Sequence, residues 1–147
     1  MFERIVVGTD GSETATEAVR QAVELAKLAG SKLDLVAAFE PIPQGRLREE
    51  KGEVPGDVSY AVGPREDVNI ALEAAGGIAK REGVEAESHP RQGDPADAIL
   101  DVAEEKGADL NVVGNKGMTG AKRFLLGSVP NKVSHHAPCS VLIIRTT

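Results

Sequence analysis

The chain has 147 residues, a net charge of −6, 41% hydrophobic and 27% charged side chains, which is the make-up of one globular domain large enough to bury a core. With no Trp and a single Tyr it has few stacking platforms for single-stranded nucleic acid, and no apolar run nears the roughly 20 residues that span a bilayer. The opening "MFERIVVGTD" lacks the architecture of a secretory leader, so the expected location is the cytoplasm, with neither nucleic acid nor membrane as partner.

In chain order, "RIVVG" is a β-branched run ended by Gly8 and predicts a buried strand. The next segment, "TDGSETATEAVRQAVELAKLAG", predicts an amphipathic helix with a Thr14-x-x-Glu17 capping box and a stop at Gly30. "KLDLVAAFE" is the second strand. Residues 41–64 are rich in Pro, Gly and charge without sustained period, and predict a mobile loop. A second helix is expected from about Arg65 to Glu82, weakened by Gly76-Gly77 and closed by Gly83. "VEAESHPRQG" alternates enough for a strand, Asp94 caps a third helix with Pro95 at its first position, and Gly107 closes it. "DLNVVG", then "SVPNKVSHHA", then "SVLIIR" give strand, helix and strand. Alternation of this kind implies an α/β fold with a parallel sheet covered on both faces, in one domain.

Charge is unevenly placed. All 23 Asp and Glu precede residue 110, whereas the remainder carries Lys116, Lys122, Arg123, Lys132 and Arg145 without an acid, which points to a small anion bound locally. Two loops leave strand ends where open α/β sheets bind ligands, "GTDGS" and "GNKG". Gly114 and Gly117 permit close backbone approach. Further on, Gly127 and Ser128 open a helix whose free N–H groups and dipole favour phosphate. Lys122 and Arg123 suit a solvated face, Cys139 a small buried residue, and His135 and His136 a capping role near a helix end. Asn111, polar within an apolar strand, has no functional explanation in the sequence.

The glycines do not fit the two familiar phosphate-loop spacings. Gly114-x2-Gly117-x9-Gly127-Ser128 instead resembles the ATP-binding motif of the universal stress protein family, and "IVVGTDGSETATEAV", "GDPADAILDVAEEKGADLNVVGNKG" and "LLGSVPNKV" extend the resemblance over the whole chain. It implies a Rossmann-like, five-stranded parallel sheet in the order 3-2-1-4-5. Gly8, Thr9 and Asp10 would lie by the adenosine, with Asp10 accepting from ribose; Ala38 and Val113 would line the adenine pocket; Gly114, Asn115, Lys116, Gly117, Gly127, Ser128 and Val129 would hold the phosphates. The implied ligand is ATP, with or without Mg2+. The "VVGN…GSVP" wording and the terminal "TT" are similar to short actinobacterial members, some of which favour cyclic AMP, so cyclic AMP and AMP stay open. The resemblance also implies a homodimer through the last strand.

Two function classes follow: a nucleotide-binding stress sensor, or a slow ATPase or nucleotide-activating enzyme. The first is favoured, because phosphoryl transfer needs an organised metal site and the fourth-strand loop offers no carboxylate. A phospho-accepting receiver domain would need acids clustered beside Asp10, and the sequence has none there.

Overall fold

The computed structural model describes residues 1–40, 59–115 and 127–146. Five strands, β1 (Arg4–Gly8), β2 (Lys32–Phe39), β3 (Ala86–Gln92), β4 (Leu110–Gly114) and β5 (Ser140–Ile144), alternate with α1 (Glu13–Ala29), α2 (Ser59–Arg81), α3 (Pro95–Lys106) and α4 (Ser128–His136). The strands pair in parallel in the order β3-β2-β1-β4-β5, the topology that the resemblance implied.

The pleat divides the core in two. Ile5, Val7, Leu33, Leu35, Leu110 and Val112 face Val19, Ala22 and Val23 of α1 and Val68, Leu72 and Ala79 of α2. Val6, Val36 and Val113, on the other face, meet Ile99 and Val102 of α3 and Val129 and Val133 of α4. Alternate residues of one strand thus belong to different layers, and both layers are buried. Burying each such aliphatic side chain fully contributes roughly 1.5–3 kcal/mol.

Helix ends follow the sequence closely, with two corrections. Asp94 caps α3 by accepting from the Asp97 N–H, Pro95 stands in its first turn, and Gly30 and Gly107 close α1 and α3 at φ of 70° and 64°, where a Cβ is disfavoured. The cap of α1, however, is Ser12, whose side chain accepts from the Ala15 N–H, and not Thr14. Ser12 has extended backbone (φ −68°, ψ 163°), as a cap requires, while Thr14 lies inside the first turn and Glu17 bonds Arg20 and Gln21 instead. The second helix begins at Ser59, six residues before the expected start, so Gly63-Pro64 is not a helix boundary. The rest of the expected loop, 41–58, lies outside the described residues.

Candidate functional site

The order β3-β2-β1-β4-β5 makes the chain leave β1 towards one side and return to its other side with β4. Connections depart to opposite faces there, and a crevice opens beyond the carboxyl ends. A narrow pocket open to solvent lies at this point, lined by Gly8, Thr14, Ala15 and Ala18 on one side and Ile99, Val113, Gly114, Val129 and Pro130 on the other.

The turn out of β1 is held by its own polar side chains. Thr9 is buried; its N–H donates to Val36 O at 2.8 Å and its Oγ1 accepts from the Gly11 N–H at 3.1 Å. Asp10 is exposed, with Oδ1 accepting from the Ser12 N–H at 2.9 Å. This Asx turn feeds the N-cap of α1. Among the described residues Oδ2 of Asp10 has no hydrogen-bond partner, so one carboxylate oxygen is available at the mouth.

The far wall is backbone. Gly127, the N-cap of α4, supplies no side-chain cap, and its N–H donates to Asn115 O at 3.1 Å. Pro130 has no N–H, and that of Asn131 is returned to Gly127 O at 3.0 Å. The first turn of α4 therefore presents the N–H groups of Ser128 and Val129, together with the exposed Ser128 side chain. Aligned N–H groups at the positive end of a helix suit an anion.

The pocket brings together Gly8, Val113, Gly114 and Val129 of the expected site residues. Thr9, Asp10 and Ala38 stand at the ends of β1 and β2 without lining it, and Gly127 and Ser128 lead into its α4 wall. Lys116 and Gly117, with Lys122 and Arg123, lie outside the described residues. Asn115 is engaged differently from expectation: its Oδ1 accepts from the N–H and the hydroxyl of Thr146. Gly114 also packs closely against the tail, since a Cβ there would stand 3.3 Å from Thr146 Cγ2. Thr14, Ala15, Ala18, Ile99, Pro130 and Thr146 were not anticipated. An α1 entrance directly after a glycine-bearing loop marks the first three, but nothing local marks Thr146.

Outside the pocket, Asn111 is fully buried, its Nδ2 donating to Cys139 Sγ at 3.6 Å, while its Oδ1 has no hydrogen-bond partner among the described residues. Burial, and then the charge of Asp109, push the Cys139 thiol above its ordinary range, so it stays protonated at neutral pH. This sets Cys139 apart from reactive thiols. His135 and His136 are exposed in the last turn of α4.

A doubly wound parallel sheet with a crevice at its switch point and a helix N-terminus beside it is a ligand-binding α/β class. The universal stress protein family matches residues 1–145, and the chain belongs to that family. Universal stress protein Rv1636 of Mycobacterium tuberculosis is 37% identical over 147 residues, covering 99% of this chain and 98% of its own. Among solved structures, a universal stress protein in complex with cAMP is 34% identical, with a TM-score of 0.73 and 99% of both chains covered. A universal stress protein of Archaeoglobus fulgidus in complex with dAMP is 28% identical, with a TM-score of 0.70, covering 97% of this chain and 98% of its own.

Proposed function

We propose that this protein binds an adenine nucleotide across the carboxyl ends of β1 and β4, and that occupancy of this site is its signal. The observation that carries the reading is the pocket at the switch point, with the α4 N-terminus adjoining it. Adenosine lies towards Gly8, Thr9 and Asp10, Asp10 Oδ2 accepting from ribose, and Ala38 and Val113 border the base. Phosphate lies towards Gly127, Ser128 and Val129, extended by Gly114, Asn115, Lys116 and Gly117. The cAMP and dAMP complexes of relatives over nearly the whole chain support the ligand class.

ATP, with or without Mg2+, is the ligand suggested by the glycine spacing. A monophosphate, cyclic AMP or AMP, is the second reading, favoured by the two complexes named above and by a first turn of α4 that presents two N–H groups and one hydroxyl. The protein works in the cytoplasm, as its single cysteine suits, and as a homodimer through β5. That edge strand leaves Leu142 and Ile143 each 39% exposed, and apolar edges invite pairing. Among the described residues no helix is long and apolar enough to cross a membrane.

Calorimetry with adenosine, cyclic AMP, AMP, ADP and ATP, on protein shown by mass spectrometry to carry no ligand, tests the reading. Phosphate-bearing ligands are expected to bind more tightly than adenosine, and their ranking separates the two readings. Absence of binding by every one of them at millimolar concentration would overturn the proposal. Phosphate release from ATP by the same sample would move it to the slow ATPase. Light scattering that gives a monomer mass across micromolar concentrations would remove the dimer.

A further inference from the structure

Asn115 leaves β4 and joins three parts of the chain. Its N–H donates to Ile144 O at 2.8 Å and its C=O accepts from the Gly127 N–H at 3.1 Å. Its Oδ1 accepts twice from a single residue, the Thr146 N–H at 2.8 Å and the Thr146 hydroxyl at 3.1 Å. Thr146 in turn sets its methyl group over Gly114. The end of β4, the N-cap of α4 and the tail beyond β5 thus meet on one residue, its backbone holding the first two and its side chain the third.

Backbone N–H groups only donate, so the atom facing Thr146 N must be the amide oxygen, which fixes the orientation of the Asn115 side chain. Both Oδ1 lone pairs are then in use, and the Nδ2 donors point elsewhere. Two donors on Oδ1 restrict rotation of the amide and tie Asn115, whose backbone carbonyl receives Gly127, to the tail beyond β5. Hydrogen bonds weaken steeply with misalignment, so the direction of the α4 N-terminus matters to any anion placed there.

We infer that Thr146 is a positioning residue for phosphate recognition: it clamps Asn115 and, through the Asn115–Gly127 hydrogen bond, sets the aim of the Ser128 and Val129 N–H groups. The inference rests on the nucleotide reading. Thr146 touches no nucleotide on this account. It acts before binding, by removing the freedom that a ligand would otherwise have to remove.

Two substitutions divide its functions. Thr146→Val keeps the methyl over Gly114 and the backbone N–H but deletes the hydroxyl, whereas Thr146→Ser keeps the hydroxyl and deletes the methyl. Losing one neutral hydrogen bond should weaken binding of the phosphate-bearing nucleotides by roughly three- to tenfold in Thr146→Val. Adenosine affinity should stay within twofold of the parent, and Thr146→Ser should restore nucleotide binding. In nucleotide-free protein, hydrogen exchange at the Gly127 amide should be faster in Thr146→Val than in Thr146→Ser. Equal nucleotide binding by Thr146→Val and parent would overturn the positioning role, as would an equal loss for adenosine or unchanged exchange at Gly127. A parent that binds no nucleotide removes the nucleotide reading itself, and the inference falls with it.

Discussion

The two ends of one sheet are built on opposite plans. At the amino end, charged side chains are tied together: Arg4 Nε donates to Asp34 Oδ2 at 2.7 Å, His89 Nε2 donates to Asp34 Oδ1 at 2.8 Å, and Glu87 receives Arg4 at 3.3 Å and Lys106 at 3.2 Å. Asp109 accepts from the backbone N–H groups of Glu3 and Arg4. At the carboxyl end the strands finish in Gly8 and Gly114, and the crevice is edged by N–H groups, hydroxyls, the Asn115 amide and the single carboxylate of Asp10. Asp34, Glu87 and His89 have the donor types and spacing of a cation site, but Arg4 and Lys106 already supply the positive charge. One end spends its polar groups on itself; the other leaves donors for a ligand.

The largest test of that contrast is Asp34→Ala. It leaves His89 buried and Arg4 partly buried without their shared partner, and should cost roughly 3 kcal/mol of stability by denaturant unfolding. Nucleotide affinity of the folded variant should remain within twofold, because the proposed site lies at the other end. A comparable loss of affinity would show that the two ends are coupled.

Ser128→Ala tests the opposite end. A hydrogen bond to a charged phosphate is worth roughly 1.5–3 kcal/mol, so calorimetry should show nucleotide binding weakened about ten- to a hundredfold. Adenosine should be nearly unaffected, and the unfolding midpoint should barely move. Asp10→Ala, in contrast, should weaken adenosine and nucleotides together.

Asn111→Leu is expected to stabilise. It exchanges a buried amide with an unpaired Oδ1 for an apolar side chain of similar volume, and a gain of about 1 kcal/mol is expected in denaturant unfolding. A loss instead would mean that the Cys139 contact outweighs the orphaned oxygen.

The smallest effect is a change of slope with pH. Burial pushes the Asp34 carboxyl up, but hydrogen bonds from Arg4 and His89, and their charges, outweigh it and hold the group below its ordinary range. A carboxyl depressed in the folded state contributes stability above its unfolded value, about 3.9, and loses it as pH falls through its folded value. Below about pH 4, stability should therefore fall more steeply in the parent than in Asp34→Asn. Parallel curves would remove Asp34 from the acid transition.

The sequence revealed the contrast unevenly. Strands and helices were legible because periodicity and end signals are local, as with Asp94-Pro95 at the start of α3 and Gly107 at its end. The pocket was legible through glycines at strand ends, together with the family resemblance. The charged network was not, because Arg4 meets Asp34 across 30 positions and Asp109 across 105, and such meetings depend on sheet register. β3, exposed at most positions with His89 buried, reads as a polar strand until Asp34 is placed beside it. Thr146 was hidden for the same reason: its partner is 31 positions away.

Pro90 gives the two sheet edges different fates. The Gly93 N–H reaches Phe39 O, and the alternation of a parallel ladder then turns the Pro90 nitrogen to the open side of β3, where it offers an incoming strand no hydrogen. Glu87 and Lys106 add charge beside that edge. On the proposed pairing through β5, two copies would present only their β3 edges to further strands. Assembly by strand addition would then terminate at a pair, with no open edge from which a fibre could grow.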